Sequence, residues 1–340
     1  MKRIIPLCLA LVMTVGLLAG CGKQNEQTAS DKTRLRVVTT IFPEYDWVRE
    51  ILGDKADNAE VTMLLDNGVD LHSYQPTADD IVKISECDLF IYVGGESDDW
   101  VDDALKNAAN KNRKVINLLE ALGERVKTEE VVEGMQEEEH DHDHEDADEH
   151  DDAEEHDHEE EAEYDEHVWL SLKNAQTLCS AISAVLQQID PDNKDTYAAN
   201  ASAYIKKLSA LDADYQAAVD AAARKTVLFG DRFPFRYLAE DYGLRYYAAF
   251  AGCSAESEAS FETISFLAGK VDELNLPCVL TIEGVQHKIA ETIVRNTAAK
   301  NQKVLTMDSM QSTTSKDAAN GTTYLSVMER NLSVLKEALG

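Results

Sequence analysis

Leu35-Arg36-Val37-Val38-Thr39-Thr40-Ile41 is a β-branched run, and Pro43 follows it with Tyr45, Val48, Ile51 and Leu52 at helical spacing. The pair reads as a strand feeding a helix whose first turn tolerates proline. Outward from it, Val61 to Leu65, Leu89 to Val93 and Lys114 to Asn117 are further short strand-like runs, separated by helical stretches such as Thr77 to Ser85 and Asp98 to Asn110. The pattern returns at Thr226 to Phe229, Leu244 to Phe250, Cys278 to Ile282 and Lys303 to Thr306. Strands that alternate with helices predict parallel sheets, so the expected fold class is α/β with two parallel-sheet lobes.

Between the lobes, Pro191 to Ala222 carries Tyr197, Ala201, Tyr204, Leu208, Leu211, Tyr215 and Ala218 at spacings of three and four, with no internal Gly or Pro. That spacing predicts one long amphipathic helix, ~48 Å at ~1.5 Å per residue, reaching along both lobes and resisting hinge motion between them. A helical hairpin would need a turn near Asp212 to Asp214, where two aspartates are the only turn signal. The expected organisation is therefore 1–20 as a targeting segment, 21–34 as a linker, 35–190 as the first lobe, 191–222 as the connecting helix and 223–340 as the second lobe.

The targeting segment is read from Lys2 and Arg3 ahead of the apolar stretch Ile4 to Leu18, which ends in Leu18-Ala19-Gly20-Cys21. This is the shape of a secretory signal. Its ending resembles a bacterial lipobox, which makes Cys21 the expected lipid anchor and places the body outside the cytoplasmic membrane. Of the other cysteines, Cys87, Cys179, Cys253 and Cys278 form no C-x-x-C pair. They read as small buried hydrophobes whose disulfide state the sequence leaves open.

The 340 residues carry a formal charge of −32, unevenly distributed. Glu129 to Glu166 holds 23 acidic residues and no Lys or Arg, which leaves 41 acidic against 32 basic residues elsewhere. The negative field disfavours nucleic acid and anionic lipid headgroups as partners. Within 129–163 lie His140, His142, His144, His150, His156 and His158, six of the nine histidines. An acidic solvated loop needs no histidine, whereas imidazoles alternating with carboxylates offer many interchangeable ligand pairs for a borderline divalent ion such as zinc. The segment lacks periodicity and is expected to be a disordered, weak metal-collecting loop.

Two further histidines stand in distinctive strings: His72 in Gly68-Val69-Asp70-Leu71-His72-Ser73-Tyr74-Gln75-Pro76-Thr77, and His167 in Asp165-Glu166-His167-Val168-Trp169-Leu170-Ser171. Both strings read as loops entering helices, and loops at the carboxyl ends of strands are where open α/β sheets hold ligands. The ninth, His287, opens a polar helix and reads as a surface residue.

The string GVDLHSYQPT (68–77), together with VVTTIFPEYD (37–46), DEHVWLSLKNA (165–175), YLAEDYGL (237–244) and MDSM (307–310), resembles the zinc- and manganese-binding solute-binding lipoproteins of bacterial ABC metal importers, the cluster A-I family. The resemblance implies two α/β lobes around one divalent ion. It also implies delivery of zinc, or alternatively manganese, to the membrane subunit of an ABC permease, without bond chemistry. A surface adhesin is a further role the family implies. A metal-dependent hydrolase is disfavoured by the lack of H-E-x-x-H, G-x-S-x-G and a glycine-rich phosphate loop.

Carried over position by position, the resemblance makes His72, His167 and Asp308 ligands. The family's third donor falls on Arg232, whose guanidinium has no lone pair to give. A nearby carboxylate is then expected, with Glu256 as the first choice, either completing the shell or neutralising Arg232, and Asp231 as the second. Glu258 matches a family glutamate but equally suits a helix-capping turn before Phe261.

Overall fold

The computed structural model describes residues 34–106, 108–136, 163–254, 258–284 and 287–340. Cys21, Glu256 and the six histidines from His140 to His158 lie outside the described residues.

From Leu35 onward the chain forms two four-stranded parallel sheets. The first is built from β1 (Leu35–Thr39), β2 (Ala59–Met63), β3 (Leu89–Tyr92) and β4 (Lys114–Asn117) in the order β2-β1-β3-β4. The second is built from β5 (Thr226–Arg232), β6 (Arg245–Phe250), β7 (Cys278–Thr281) and β8 (Lys303–Thr306) in the order β6-β5-β7-β8. Strands β4 and β8 begin and end where the sequence places them. Strand β5 continues three residues further, because its register against β6 shifts between Phe229 and Arg232 and carries the backbone on to the arginine. Each sheet reverses its strand order beside its first strand, and ligand crevices open at such points, outside the carboxyl ends of the strands.

The helix α1 (Phe42–Leu52) starts as its proline requires. Glu44, fully buried, reaches back to accept from the Thr40 and Ile41 amides at 2.8 and 3.3 Å, satisfying donors that a helix start leaves open. The stretch from Asp98 is helical only over α3 (Trp100–Leu105), after α2 (Ala78–Glu86). Helix α4 (Leu118–Leu122) then leads towards α5 (Leu172–Ile189).

The long element is a 3-10 turn at Pro191–Asn193 followed by α6 (Lys194–Ala221), 28 residues and ~42 Å long. Asp212 and Asp214 lie inside it without a break. Its buried stripe is Tyr197, Ala201, Tyr204, Leu208, Leu211, Tyr215 and Val219. Val219 takes the place expected for Ala218, since a straight helix drifts from a strict heptad. This stripe packs on α5 and α1, and on the last helix of the chain. The second lobe adds α7 (Arg236–Tyr242), α8 (Phe261–Glu273), α9 (Lys288–Asn296), α10 (Ser315–Ala319) and α11 (Tyr324–Leu339).

Helix α11 returns from β8 to the first lobe. Fully buried Tyr324 packs edge-on against Trp47 with ring centroids 5.2 Å apart, donates to Trp169 O at 2.6 Å, and offers its amide to Asp46 at 2.9 Å. One apolar cluster consequently runs from Val37 in β1 through α6 to Leu339. A smaller cluster of Leu228, Val279, Leu267, Ile293 and neighbours fills the space between the second sheet, α8 and α9.

Burial, reinforced by the nearby Asp98 carboxylate, pushes Glu44 up to about 8. The folded protein therefore keeps this proton where an unfolded chain has released it near 4.5. The resulting contribution to stability is full below the lower value and is lost as pH climbs through the upper one. Glu44→Gln is expected to flatten the decline between about pH 4.5 and 8, read from urea midpoints across that window. An unchanged slope would show that other groups carry it.

Candidate metal centre

Loops at the carboxyl ends of the strands converge in one cleft. Past β2, Gly68 adopts φ +74°, and Asp70 caps a 3-10 turn at Leu71–Ser73 by accepting the His72 amide at 3.0 Å. Leu71 is buried and pins the turn, so the intervening His72 side chain is presented to the cleft. Thr77 and Asp80 close the segment with a reciprocal capping box at the start of α2.

The second histidine lies deeper. Every residue from Asp165 to Ser171 is buried, His167 fully so. A buried polar segment must find partners for its polar groups. Asp165 O accepts from Tyr237 Oη at 2.8 Å, Trp169 Nε1 donates to Ser309 O at 2.8 Å, and Ser171 Oγ donates to Asp241 at 2.5 Å. His167 is thereby held in one place by partners drawn from α7 and the segment after β8.

Carboxylates then decide which ring nitrogen of each histidine is free. Asp165 Oδ1 accepts from the His167 amide at 2.9 Å and stands 3.0 Å from His167 Nδ1. His72 Nδ1 lies 2.8 Å from Ser97 Oγ and 3.4 Å from Glu166 Oε2. Burial opposes ionisation of Glu166, but its contacts with His72 and Ser97 outweigh that and hold the carboxyl below its ordinary range. Tautomers with hydrogen on both Nδ1 atoms, facing Asp165 and the Ser97–Glu166 pair, leave the lone pairs on Nε2. The two Nε2 atoms face each other at 3.2 Å.

Two imidazole lone pairs turned towards one another repel unless a cation lies between them. In a tetrahedral zinc shell with Zn–N of about 2.0–2.1 Å, the nitrogens stand about 3.3 Å apart. The carboxylate behind each ring is also the usual arrangement for a zinc-binding histidine.

A cysteine lies beside the pair. One ligand atom from each of His72, His167 and Cys253 falls within 4.8 Å of the others, and Cys253 Sγ stands 4.0 Å from His167 Nδ1, the nitrogen that Asp165 holds. The loop reaches the imidazole because Gly252 has no side chain: a Cβ there would stand 3.1 Å from His167 Nδ1 and 3.0 Å from Phe233 O. Glu129 Oε1 accepts the Cys253 amide at 2.9 Å. Burial, followed by Glu129, Asp165 and Glu166, pushes the thiol far above its ordinary value, so a neighbouring cation is what would make it a thiolate.

Arg232 stands where sequence comparison expects a ligand, and it pairs with a residue the sequence reading did not propose. Its Nη2 donates to Asp70 Oδ2 at 2.6 Å, across from the first lobe. Burial works against ionised Asp70, yet Arg232 and His72 hold its carboxyl below the ordinary range. Asp231, the alternative choice, accepts from Thr281 Oγ1 at 2.6 Å and from the Arg232 amide at 2.9 Å, leaving Arg232's charge to Asp70.

Asp308 is not in the three-residue group. Its carboxylate accepts the Met310 amide at 2.8 Å and lies 3.7 Å from Arg330 Nη2. Burial pushes it above the ordinary range, and burial together with the Asp308 charge does the same to Glu283, which accepts from Ser309 Oγ and the Gln311 amide. Glu258 is exposed at the cleft margin.

His287 corrects an expectation. It is half-buried and lines the cleft, with Nδ1 at 3.0 Å from Thr281 Oγ1, at the start of α9, which packs on β5 and β7. The cleft itself encloses about 740 Å³ and is lined by Asp70, His72, Asp231, Arg232 and His287 among others.

The start of the acidic segment also has a definite place. Thr128 bridges Tyr164, Gln136 N donates to Ala249 O at 2.9 Å, and Gln136 Oε1 accepts from Ser260 N at 2.8 Å. The irregular stretch expected over 129–163 is thus tied at its first eight residues to the second lobe. The four cysteines Cys87, Cys179, Cys253 and Cys278 are unpaired.

The family model described as "Zinc-uptake complex component A periplasmic" matches residues 37–338. The zinc-binding lipoprotein AdcA of Streptococcus pneumoniae is 32% identical over 337 residues, 99% of this chain and 61% of its own length. The chain thus spans about three fifths of that relative. The high-affinity zinc uptake system protein ZnuA of Bacillus subtilis is 31% identical over 325 residues, 95% of this chain and 94% of its own. The crystal structure of the Zn(II)-bound ZnuA-like domain of S. pneumoniae AdcA superposes with a TM-score of 0.66 at 29% identity, covering 90% of this chain and 99% of that one. A family model matched from β1 to the final helix, and a relative aligned along nearly its whole length, establish that the chain belongs to the zinc-uptake component A family.

Proposed function

We propose that this protein captures one zinc ion outside the cytoplasmic membrane and delivers it to the membrane subunit of an ABC permease, without catalysing a reaction. The carrying observation is the pair of Nε2 atoms facing each other at 3.2 Å, each backed by a carboxylate. Two imidazole nitrogens suit zinc better than manganese, which prefers oxygen donors. The relatives named as zinc-binding and zinc-uptake proteins support the same reading.

His72 and His167 act as the primary ligands, and Asp308 and Glu256 are the carboxylates proposed to contribute at the margin of the shell. Cys21 carries the proposed lipid anchor, which keeps the carrier beside its permease. His140, His142, His144, His150, His156 and His158 form the proposed auxiliary loop, gathering zinc weakly before transfer.

Removing a neutral nitrogen from so small a shell is expected to lower zinc affinity by more than the ~10–100-fold typical of an outer partner. Competition titration against a chelator checks this for His72→Ala and His167→Ala, with Asp308→Asn expected to cost less than either. Unchanged tight binding in both histidine variants would overturn the site.

The loop is expected to add zinc without being needed for the tight site. Deleting Glu137 to Glu161 should leave one tightly held ion and abolish the additional weak ones, counted by elemental analysis after dialysis against dilute zinc. Because protons compete for free imidazole, the weak occupancy should fall between about pH 7 and pH 5.5. Equal zinc content with and without the loop would remove its proposed role.

A further inference from the structure

We infer that Cys253 Sγ is the third protein ligand of the ion held by His72 and His167, so that the site is a His₂Cys centre. This rests on the metal-capture reading above and deepens it by naming a donor that gives the site its choice of ion.

Among the described residues, only His72, His167 and Cys253 bring three ligand atoms of different residues within 4.8 Å of one another. The arginine on the same side of the cleft cannot compete, because a guanidinium has no lone pair and Arg232 Nη2 is bound to Asp70 at 2.6 Å. That pairing also cancels most of the arginine's field, so the dication does not face an unscreened positive charge.

The cysteine is placed as a ligand needs to be. Gly252 lets the backbone pass close beside the His167 ring, and the amide of Cys253 is anchored on Glu129. It is half-buried, whereas Cys87, Cys179 and Cys278 are buried and lie in apolar surroundings. With Zn–S of about 2.3 Å and Zn–N of about 2.0–2.1 Å, nitrogen and sulfur in a tetrahedral shell stand about 3.6 Å apart. The thiol therefore has to close by up to about an ångström, which a χ1 rotation or a small shift of its loop supplies.

A thiolate is a softer donor than the carboxylates expected from the sequence. It favours zinc over manganese, which prefers oxygen. The balance is simple: the ion binds as the thiol releases one proton to solvent, and no oxidant or reductant takes part.

Cobalt(II) titration of the purified full chain tests the assignment, because a thiolate gives a near-ultraviolet sulfur-to-metal charge-transfer band that neither the loop histidines nor a carboxylate can produce. The expected result is one equivalent of that band in the parent, its loss in Cys253→Ser with visible ligand-field bands retained, and zinc affinity weakened by about 100-fold or more. Manganese affinity should change far less. Circular dichroism melting of Cys253→Ser, with Cys253→Ala as a second variant, verifies the fold.

A parent that binds cobalt in a histidine-dependent way without the band, or a Cys253→Ser protein with parental zinc affinity, overturns the thiolate ligand and leaves the capture site intact. If Asp70→Asn alone abolishes binding while Cys253→Ser does not, the third position belongs to Asp70 and the assignment is equally overturned. A parent that binds neither metal tightly overturns the capture reading itself.

Discussion

The burial of Asp165 to Ser171 is the constraint on which the centre depends. Seven consecutive buried residues carry two carboxylates, an imidazole, an indole and a hydroxyl into the interior, and leaving such groups unpaired would cost a few kcal/mol each. Their partners come from far apart in the chain: Ser309 beyond β8, Tyr237 and Asp241 in α7, Tyr324 at the head of α11, and Ser97 after β3. Satisfying this one segment fixes the placement of both sheets' loop ends, and with them the distance between the two histidines.

Within that frame the carboxylates are set apart by what they touch. Asp165 and Glu166 sit behind the imidazoles and orient them, while Asp70 is bound to a guanidinium and leaves His72 Nε2 open to the cleft. Gly95 makes the Glu166 position available: it adopts φ +84°, and a Cβ there would lie 2.4 Å from Glu166 Oε1. Any side chain at Gly95 would displace the carboxylate that orients His72. The oxygens near the ions' path are therefore mostly committed, and the donors with free lone pairs are nitrogen and sulfur. That division separates a zinc-selective centre from an oxygen-rich one.

The strands and the long helix were legible because their signals are local. Alternating β-branched runs and a 3-4 stripe of tyrosines and leucines record burial within a few residues of the chain. His72 and His167 stood out in their strings, and the structure brings their rings together and adds the neighbours that orient them. Asp70 was not legible as Arg232's partner, since the two lie 162 positions apart and nothing local in either loop announces the other. Cys253 was read as an inert small hydrophobe for the same reason: its distinguishing neighbour is 86 positions away. The return of α11 onto Trp47 and Trp169 was equally hidden, because an amphipathic helix shows that it has an apolar face without showing which surface receives it.

The continuity of the main apolar cluster limits how an ion can leave. It runs from β1 through α6 to α11, so a wide opening between the sheets would expose side chains such as Trp47, Tyr204, Tyr215 and Tyr324, all nearly or fully buried. At about 25 cal/mol per Å² of apolar surface, each aromatic of 150–250 Å² withdrawn from the core costs several kcal/mol. A close-packed interior resists partial separation more than it bends. The loop carrying Gly252 and Cys253 is tied by polar contacts instead, its Cys253 amide on Glu129 and its Ser254 carbonyl on Arg232. The segment that begins at Glu129 holds the same loop through the Cys253 amide, which mechanically joins the acidic stretch to the residues around His167.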